Sequence, residues 1–143
     1  MYVDVGGGST EITLIHQGRL VGSMSYNIGT IRLLNRAVKD GIVDGLKADM
    51  AGMYANYGPI NIIGSGGNIN KLFRLAEEKS KKELKLPITS LRSLHNDLQP
   101  LSVEERMDRF GLKPDRADVI VPAAEIFLII ADCIHSDYVY VPT

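Results

Sequence analysis

The chain has 143 residues, 45% of them hydrophobic and 23% charged, a composition that suits one globular domain with a core of useful size. Sixteen Lys and Arg against 17 Asp and Glu leave a formal net charge of −1, so no global field gathers DNA, and any anion must be held by local geometry. The single cysteine, Cys133, excludes an internal disulfide; without a recognisable signal peptide the expected setting is cytoplasmic, and no run approaches the ~18 apolar residues of a membrane span.

The first expected element is a β-branched strand over residues 2–5, which runs straight into Gly6-Gly7-Gly8-Ser9-Thr10-Glu11. Three adjacent glycines remove every Cβ from the turn, so backbone N–H groups can close around an anion. Ser9 and Thr10 add hydroxyl donors, while Asp4 and Glu11 offer hard oxygen ligands of the kind Mg²⁺ takes. A hairpin turn without a ligand needs one glycine and has no use for acids on both sides. Gly6, Gly7, Gly8, Ser9 and Thr10 are therefore expected to bind phosphate, with Asp4 and Glu11 as metal ligands.

Alternation resumes over 11–16, with Ile12 and Leu14 on one face, and over 19–26 through Leu20, Met24 and Tyr26. With Gln17-Gly18 as a turn, three antiparallel strands are predicted. Ile31, Leu34 and Val38 mark a helix over 30–40 that Gly41 ends. Asp44 is placed to cap a second helix with the stripe Leu46, Met50, Met53 and Tyr57, broken by Gly58-Pro59. Residues 60–63 read as a buried strand feeding Gly64, Ser65, Gly66 and Gly67, after which Ile69, Leu72, Phe73 and Ala76 keep helical spacing. This second glycine loop can bring backbone to a ligand at a helix N-terminus, although a tight turn needing positive φ accounts for it too.

Lys79, Lys81, Lys82 and Lys85 suggest a solvated helix end, stopped by Pro87. Leu91, Leu94, Leu98 and Leu101 give a helix starting near Ser90, and Ser102-Val103-Glu104-Glu105 has capping-box spacing for another that ends at Gly111. Pro114 fits the first turn of a last helix reaching His135, apolar nearly all round and so central, with Pro122 bending it or marking its start. Residues 138–141 form a final strand. The order predicts an α/β domain: a mixed sheet, three meandering strands first, with helices packed on it. The chain opens inside its first strand and stops just after its last, so it is expected to be a piece of a longer protein.

Several chemistries lack their residues. Neither loop continues as Gly-x-Gly-x-x-Gly or Gly-Lys-Ser/Thr, which argues against dinucleotide and Walker-type sites. His16, His95 and His135 have no neighbours at ligand spacing, so zinc is not expected. No Gly-x-Ser-x-Gly elbow exists, and Ser9 has no placed base.

Asp4-Val5-Gly6-Gly7-Gly8-Ser9-Thr10-Glu11 closely resembles the second phosphate motif of the exopolyphosphatase and guanosine pentaphosphate phosphohydrolase family. Asn27-Ile28-Gly29-Thr30-Ile31-Arg32-Leu33 is similar to that family's glycine-led helix start, and Gly64-Ser65-Gly66-Gly67 to its second glycine loop. Glu105-Arg106 and Arg116-Ala117-Asp118-Val119-Ile120 are similar to its later helical signature. The family belongs with actin, sugar kinases and chaperone ATPases, whose two ribonuclease-H-like lobes clasp phosphate between them. The resemblance implies that residues 1–143 form a single domain, the second lobe of such a phosphatase, whose N-terminal lobe is the missing partner. It implies Mg²⁺-dependent hydrolysis of the terminal phosphoanhydride of polyphosphate or of a guanosine polyphosphate such as guanosine pentaphosphate. Such chemistry rests on positioning and charge neutralisation.

In that scheme Asp4 orients metal or attacking water, the Gly6–Gly8 amides hold the terminal phosphoryl group, and Glu11 completes a catalytic acidic pair. The general base and first phosphate loop belong to the preceding lobe, so the lobe alone is expected to bind phosphate with negligible turnover. Asn68 and Ala124 depart from the family's usual Thr and Gly. Two other readings share the motif: a module that senses guanosine polyphosphate or polyphosphate without hydrolysis, and a lobe of a sugar or acid kinase. A lobe parted from its partner is also expected to expose apolar surface and form a homodimer. Neither DNA nor a membrane is an expected partner.

Overall fold

The computed structural model describes residues 1–142. Strands β1 (Tyr2–Val5), β2 (Thr10–His16) and β3 (Arg19–Tyr26) form the expected meander. They are followed by α1 (Thr30–Leu34), α2 (Ile42–Tyr57), β4 (Ile62–Ser65), α3 (Gly67–Leu75) and β5 (Lys85–Pro87). The chain continues through α4 (Ile88–Leu98), α5 (Val103–Phe110), α6 (Pro114–Ala117), α7 (Ile120–Ile134) and β6 (Tyr138–Tyr140). All six strands join one sheet in the order β3-β2-β1-β4-β6-β5. β1, β4 and β6 run parallel, whereas β1–β2, β2–β3 and β5–β6 are antiparallel pairs. The predicted mixed α/β sheet is present.

One face of this sheet forms the core. Val3, Val5, Ile12, Leu14, Ile62 and Val139 point into it and are buried. Behind them lies α7, apolar nearly all round as predicted, touching α1, α2, α3, α4 and α6. The approach is close at β4, where a Cβ on Gly64 would stand 2.9 Å from Val139 Cγ1 and 3.3 Å from Phe127 Cε1. Gly64 is thus a packing residue inside a strand, and the second glycine loop begins only after Ser65.

Several boundaries differ from the sequence reading, each for a local reason. The helix expected over 30–40 stops at Leu34, because Arg36 takes a left-handed φ of 54°. Arg36 N–H then bonds Leu33 O at 3.1 Å and Ala37 N–H bonds Arg32 O at 2.7 Å, the paired closure usually built on glycine. α2 begins before Asp44, with Gly41 at its N-cap and Asp44 inside its first turn. The lysine-rich stretch is not a helix end: α3 finishes at Leu75, and Lys79 Nζ reaches back to the carbonyls of Phe73 at 2.6 Å and Arg74 at 2.7 Å. β5 was not anticipated, since Pro87 reads as a stop; it lies at the sheet edge, where a missing N–H costs no ladder bond. The helix expected near Ser90 starts at Ile88, directly after that proline. The last helix is broken at Asp118–Val119 into α6 and α7, and Pro122 occupies the first turn of α7, where its N–H would lack a partner anyway.

The β2–β3 ladder also slips. Ile15 pairs with Leu20 but Leu14 pairs with Gly22, leaving Val21 as an extra residue in β3. Leu20, expected on the apolar face, is consequently 67% exposed.

Candidate active site

β1 and β4 are neighbouring parallel strands whose connections leave in opposite directions across the sheet, β1 toward β2 and β4 toward β6. In open α/β sheets, ligands bind beyond the carboxyl ends of such a strand pair. Both glycine loops sit there.

The first loop joins β1 to β2 with Val5 opposite Thr10, and Gly6 N–H closes its base on Ser9 O at 2.9 Å. Its next three peptides all turn their carbonyls toward α1. Gly6 O accepts from Thr30 N at 2.9 Å, and Gly7 O accepts from Ile31 N at 3.0 Å and Arg32 N at 3.2 Å. Gly8 O accepts from Arg32 Nε at 2.5 Å. In a trans peptide the carbonyl and the following N–H point in opposite directions, and no peptide here is cis. The N–H groups of Gly7, Gly8 and Ser9 must therefore point away from α1, and among the described residues none has an acceptor. Three consecutive free N–H groups on one side of a loop make an anion-binding concavity.

The glycines serve this arrangement through space rather than conformation, since none of Gly6, Gly7 and Gly8 has a left-handed φ. A Cβ on Gly7 would lie 3.1 Å from Ile31 Cδ1. The opposing residue is stricter: a Cβ on Gly29 would come within 2.5 Å of the Gly6 carbonyl oxygen.

Two of the expected phosphate donors are used inside the fold. The Gly6 amide is spent on Ser9 O, and Thr10 is fully buried with its hydroxyl donating to Ile28 O at 2.7 Å. Thr10 ties the start of β2 to the segment before α1. The donor set left open is Gly7, Gly8, Ser9 and the Ser9 hydroxyl.

Asp4 and Glu11 are directly opposed in the β1–β2 register and both are exposed on the sheet face away from α7. Ser65 pairs with Asp4 and Ser25 with Glu11, so Ser25, Glu11, Asp4 and Ser65 form one row across four strands. Glu11 Oε1 accepts from Ser9 Oγ and Ser25 Oγ, both at 2.9 Å. The ion pairs among the described residues are Lys85–Glu83, Arg92–Asp132 and His95–Glu125, so neither Asp4 nor Glu11 has a counter-ion. Like charges directly opposite on a sheet are destabilising. A divalent cation between them would remove that cost. No group of three or more His, Cys, Asp or Glu among the described residues could hold a metal. Mg²⁺ asks for less, usually one or two carboxylates completed by water and substrate phosphate, and Asp4 with Glu11 fits that set.

The second loop stands against the first. Gly66 has φ 109°, a conformation that requires glycine, and a Cβ there would lie 3.5 Å from Asp4 Oδ1. The N-terminus of α3 thereby adjoins Asp4. The Arg116 guanidinium lies on Gly67, where a Cβ would meet Nη2 at 2.6 Å, and Nη1 donates to Asn68 Oδ1. Sequence reasoning gave no role to Ser25, Arg32 or Arg116. Arg32 and Arg116 were visible inside family-like segments, but nothing in their spacing indicated a contact with either loop.

A profile of the Ppx/GppA phosphatase family matches residues 1–141. The chain belongs to the Ppx/GppA phosphatase family. No curated protein matches it. Among solved structures, the type II variant of the Aquifex aeolicus Ppx/GppA phosphatase is 24% identical with a TM-score of 0.76, covering 99% of this chain and 52% of that one. An exopolyphosphatase from Cytophaga hutchinsonii is 19% identical with a TM-score of 0.76, again covering 99% of this chain and 52% of that one. This chain thus spans about half the length of the Ppx/GppA structures it matches, and its sheet is that of their actin-like ATPase, ribonuclease-H-like fold.

Proposed function

We propose that this Ppx/GppA chain is the second lobe of a longer phosphohydrolase and forms one wall of its active site, acting on the terminal phosphate of polyphosphate or guanosine pentaphosphate. The observation that carries this reading is the side-by-side placement of three free, outward N–H groups at Gly7, Gly8 and Ser9 and the unpaired carboxylates of Asp4 and Glu11. The amides are aimed where a terminal phosphoryl group would rest, and fixed donors of this kind stabilise charge that develops on its equatorial oxygens. Water adds to the terminal phosphorus as the bridging P–O bond breaks, releasing orthophosphate and a chain one phosphoryl shorter. Bound Mg²⁺, held by Asp4 and Glu11, would neutralise phosphate oxygens as the leaving group departs. Ser9 and Ser25 orient Glu11 through its Oε1, which leaves Oε2 free to face the ligand. The general base belongs to the other lobe, so the 143-residue chain alone binds phosphate without turning it over.

The test is phosphate release from polyphosphate and from guanosine pentaphosphate by the full-length protein that contains this lobe. Asp4→Asn and Glu11→Gln should each lower the rate more than about a hundredfold, beyond what losing an outer partner of a metal ligand costs. Both variants should fold as well as the wild type or better, because each removes a like-charge pair. Unchanged rates would refute the assignment.

A further inference from the structure

The three outward N–H groups of the first loop are not all held in the same way. Each follows a carbonyl that is fastened to α1. The Gly6 and Gly7 carbonyls take the amides of Thr30, Ile31 and Arg32, the first amides of the helix, which have no partner inside it. From Leu33 onward the helix uses its own amides, with Leu33 N–H on Gly29 O and Asn35 N–H on Ile31 O, both at 3.0 Å. No main-chain donor of α1 is left for the Gly8 carbonyl. Among the described residues its one donor is a side chain, Arg32 Nε at 2.5 Å.

Arg32 is placed for that reach. It is the third residue of α1, and helical side chains lean toward the N-terminus, the end that meets the loop. It is partly buried, and the ion pairs among the described residues do not include it. The peptide between Gly8 and Ser9 needs such a tie. A peptide turns over through the ψ before it and the φ after it, and glycine leaves that ψ freer than any other residue. Turning it over would swing the Ser9 N–H out of the concavity and put a carbonyl oxygen where an anion should rest.

We propose that Arg32 is a positioning residue for the bound phosphoryl group. Its Nε–H holds the Gly8 carbonyl toward α1 and so keeps the Ser9 N–H facing the anion. Carbonyl and N–H leave a trans peptide in opposite directions, so Arg32 acts from behind the loop, one peptide away from the ligand. The donor matters here, and the charge is secondary. This role deepens the reading of the loop as a phosphate site and rests on it.

The test compares Arg32→Gln, Arg32→Met and Arg32→Lys in the full-length protein, titrated with inorganic phosphate by calorimetry. Counted along the side chain, glutamine has its Nε2 donor where arginine has Nε, but no charge. Methionine has a methyl group there and keeps neither property. Lysine keeps the charge and carries its donors one atom farther out. Arg32→Met should raise the Kd about tenfold, the scale of one lost hydrogen bond to an anion. Arg32→Gln should stay within about threefold of wild type, and Arg32→Lys should do no better than Arg32→Gln. Glutamine and methionine remove the same guanidinium, so any loss of stability falls on both and the gap between them reads the donor alone. A Kd unchanged in Arg32→Met would overturn the proposal. So would Arg32→Gln as weak as Arg32→Met beside a wild-type Arg32→Lys, since the charge would then be what phosphate meets. Phosphate release from polyphosphate by the same proteins separates this role from the hydrolase reading. The expected gap in a protein that releases nothing would discard the hydrolase and keep Arg32 as a positioning residue. Full release by all three variants, with no gap in binding, would do the reverse.

Discussion

Gly29 is held at φ −151°, an extended conformation open to any residue, so the fold uses its size and not its flexibility. Its hydrogens leave room for the carbonyls of Gly6 and Gly7 to reach the first amides of α1. Gly29→Ala forces the loop and helix apart and should cost about 1–3 kcal/mol in urea unfolding, the range for overpacking a tight site. Gly8 supplies the contrast, because a Cβ there would have Arg32 Nε as its nearest neighbour at 3.9 Å. Gly8→Ala should leave stability within about 0.5 kcal/mol. A Gly29→Ala protein as stable as the Gly8→Ala protein would remove the steric argument. The same loop shows why one residue type takes two roles: Ser9 faces the open side beside Glu11, while Thr10, one position on in the strand alternation, is turned into the core.

Among the elements, α5 depends most on its own ends. It has no buried residue, so little tertiary packing holds it. Its capping box is complete, with Ser102 Oγ accepting from Glu105 N–H at 3.1 Å and Glu105 Oε1 accepting from Ser102 N–H at 3.0 Å. Ser102→Ala should cost about 1 kcal/mol in denaturant unfolding. The Ser102 backbone N–H, with the Ser102 side chain second, holds the Glu105 carboxyl below the usual carboxylate range. A depressed folded-state value means the stabilisation is present above the unfolded-state value and lost as pH falls through the folded one. Glu105→Gln should therefore be less stable than wild type at neutral pH, and the gap should close in acid. A gap that widens in acid would contradict the sign. Arg106 fastens the far side of the helix, donating through Nε to Leu98 O at 3.0 Å and through Nη1 to Ala117 O at 3.1 Å. Burial pulls its guanidinium below the ordinary arginine value, consistent with a cation satisfied by carbonyls.

The whole molecule is organised around α7, which meets five other helices behind the sheet. Phe127 is fully buried at its middle and faces Gly64 of β4. Phe127→Ala should cost about 3–5 kcal/mol, a large part of the ~5–15 kcal/mol that holds a typical domain, and should lower the urea midpoint sharply. Asp132→Ala, on the exposed side of the same helix, breaks only the surface pair with Arg92 and should cost no more than about 1 kcal/mol. Comparable losses for the two would mean that α7 is not the core of the lobe. No helix among the described residues is long and apolar enough to cross a membrane, so the apolar surface of α7 is accounted for by burial within the domain.

The sequence by itself determined the opening meander, the later strand–helix units apart from β5, the central place of the apolar last helix, and a glycine loop flanked by two acids, because periodicity, glycine and charge act over a few neighbouring residues. It could not place Ser25 beside Glu11. Counting back from the Gln17-Gly18 turn pairs Glu11 with Met24, and only the extra residue at Val21 moves Ser25 into the row. Nor could it say which loop amides stay free, since Gly6 is lost to Ser9 O while Gly7 and Gly8 are turned outward by carbonyl contacts to a helix more than twenty residues away. The end of α1 at Arg36 escaped for a related reason: an arginine in a left-handed turn leaves no local mark. Donor direction and strand register are set by which segments meet in space, and only the tertiary structure decides that.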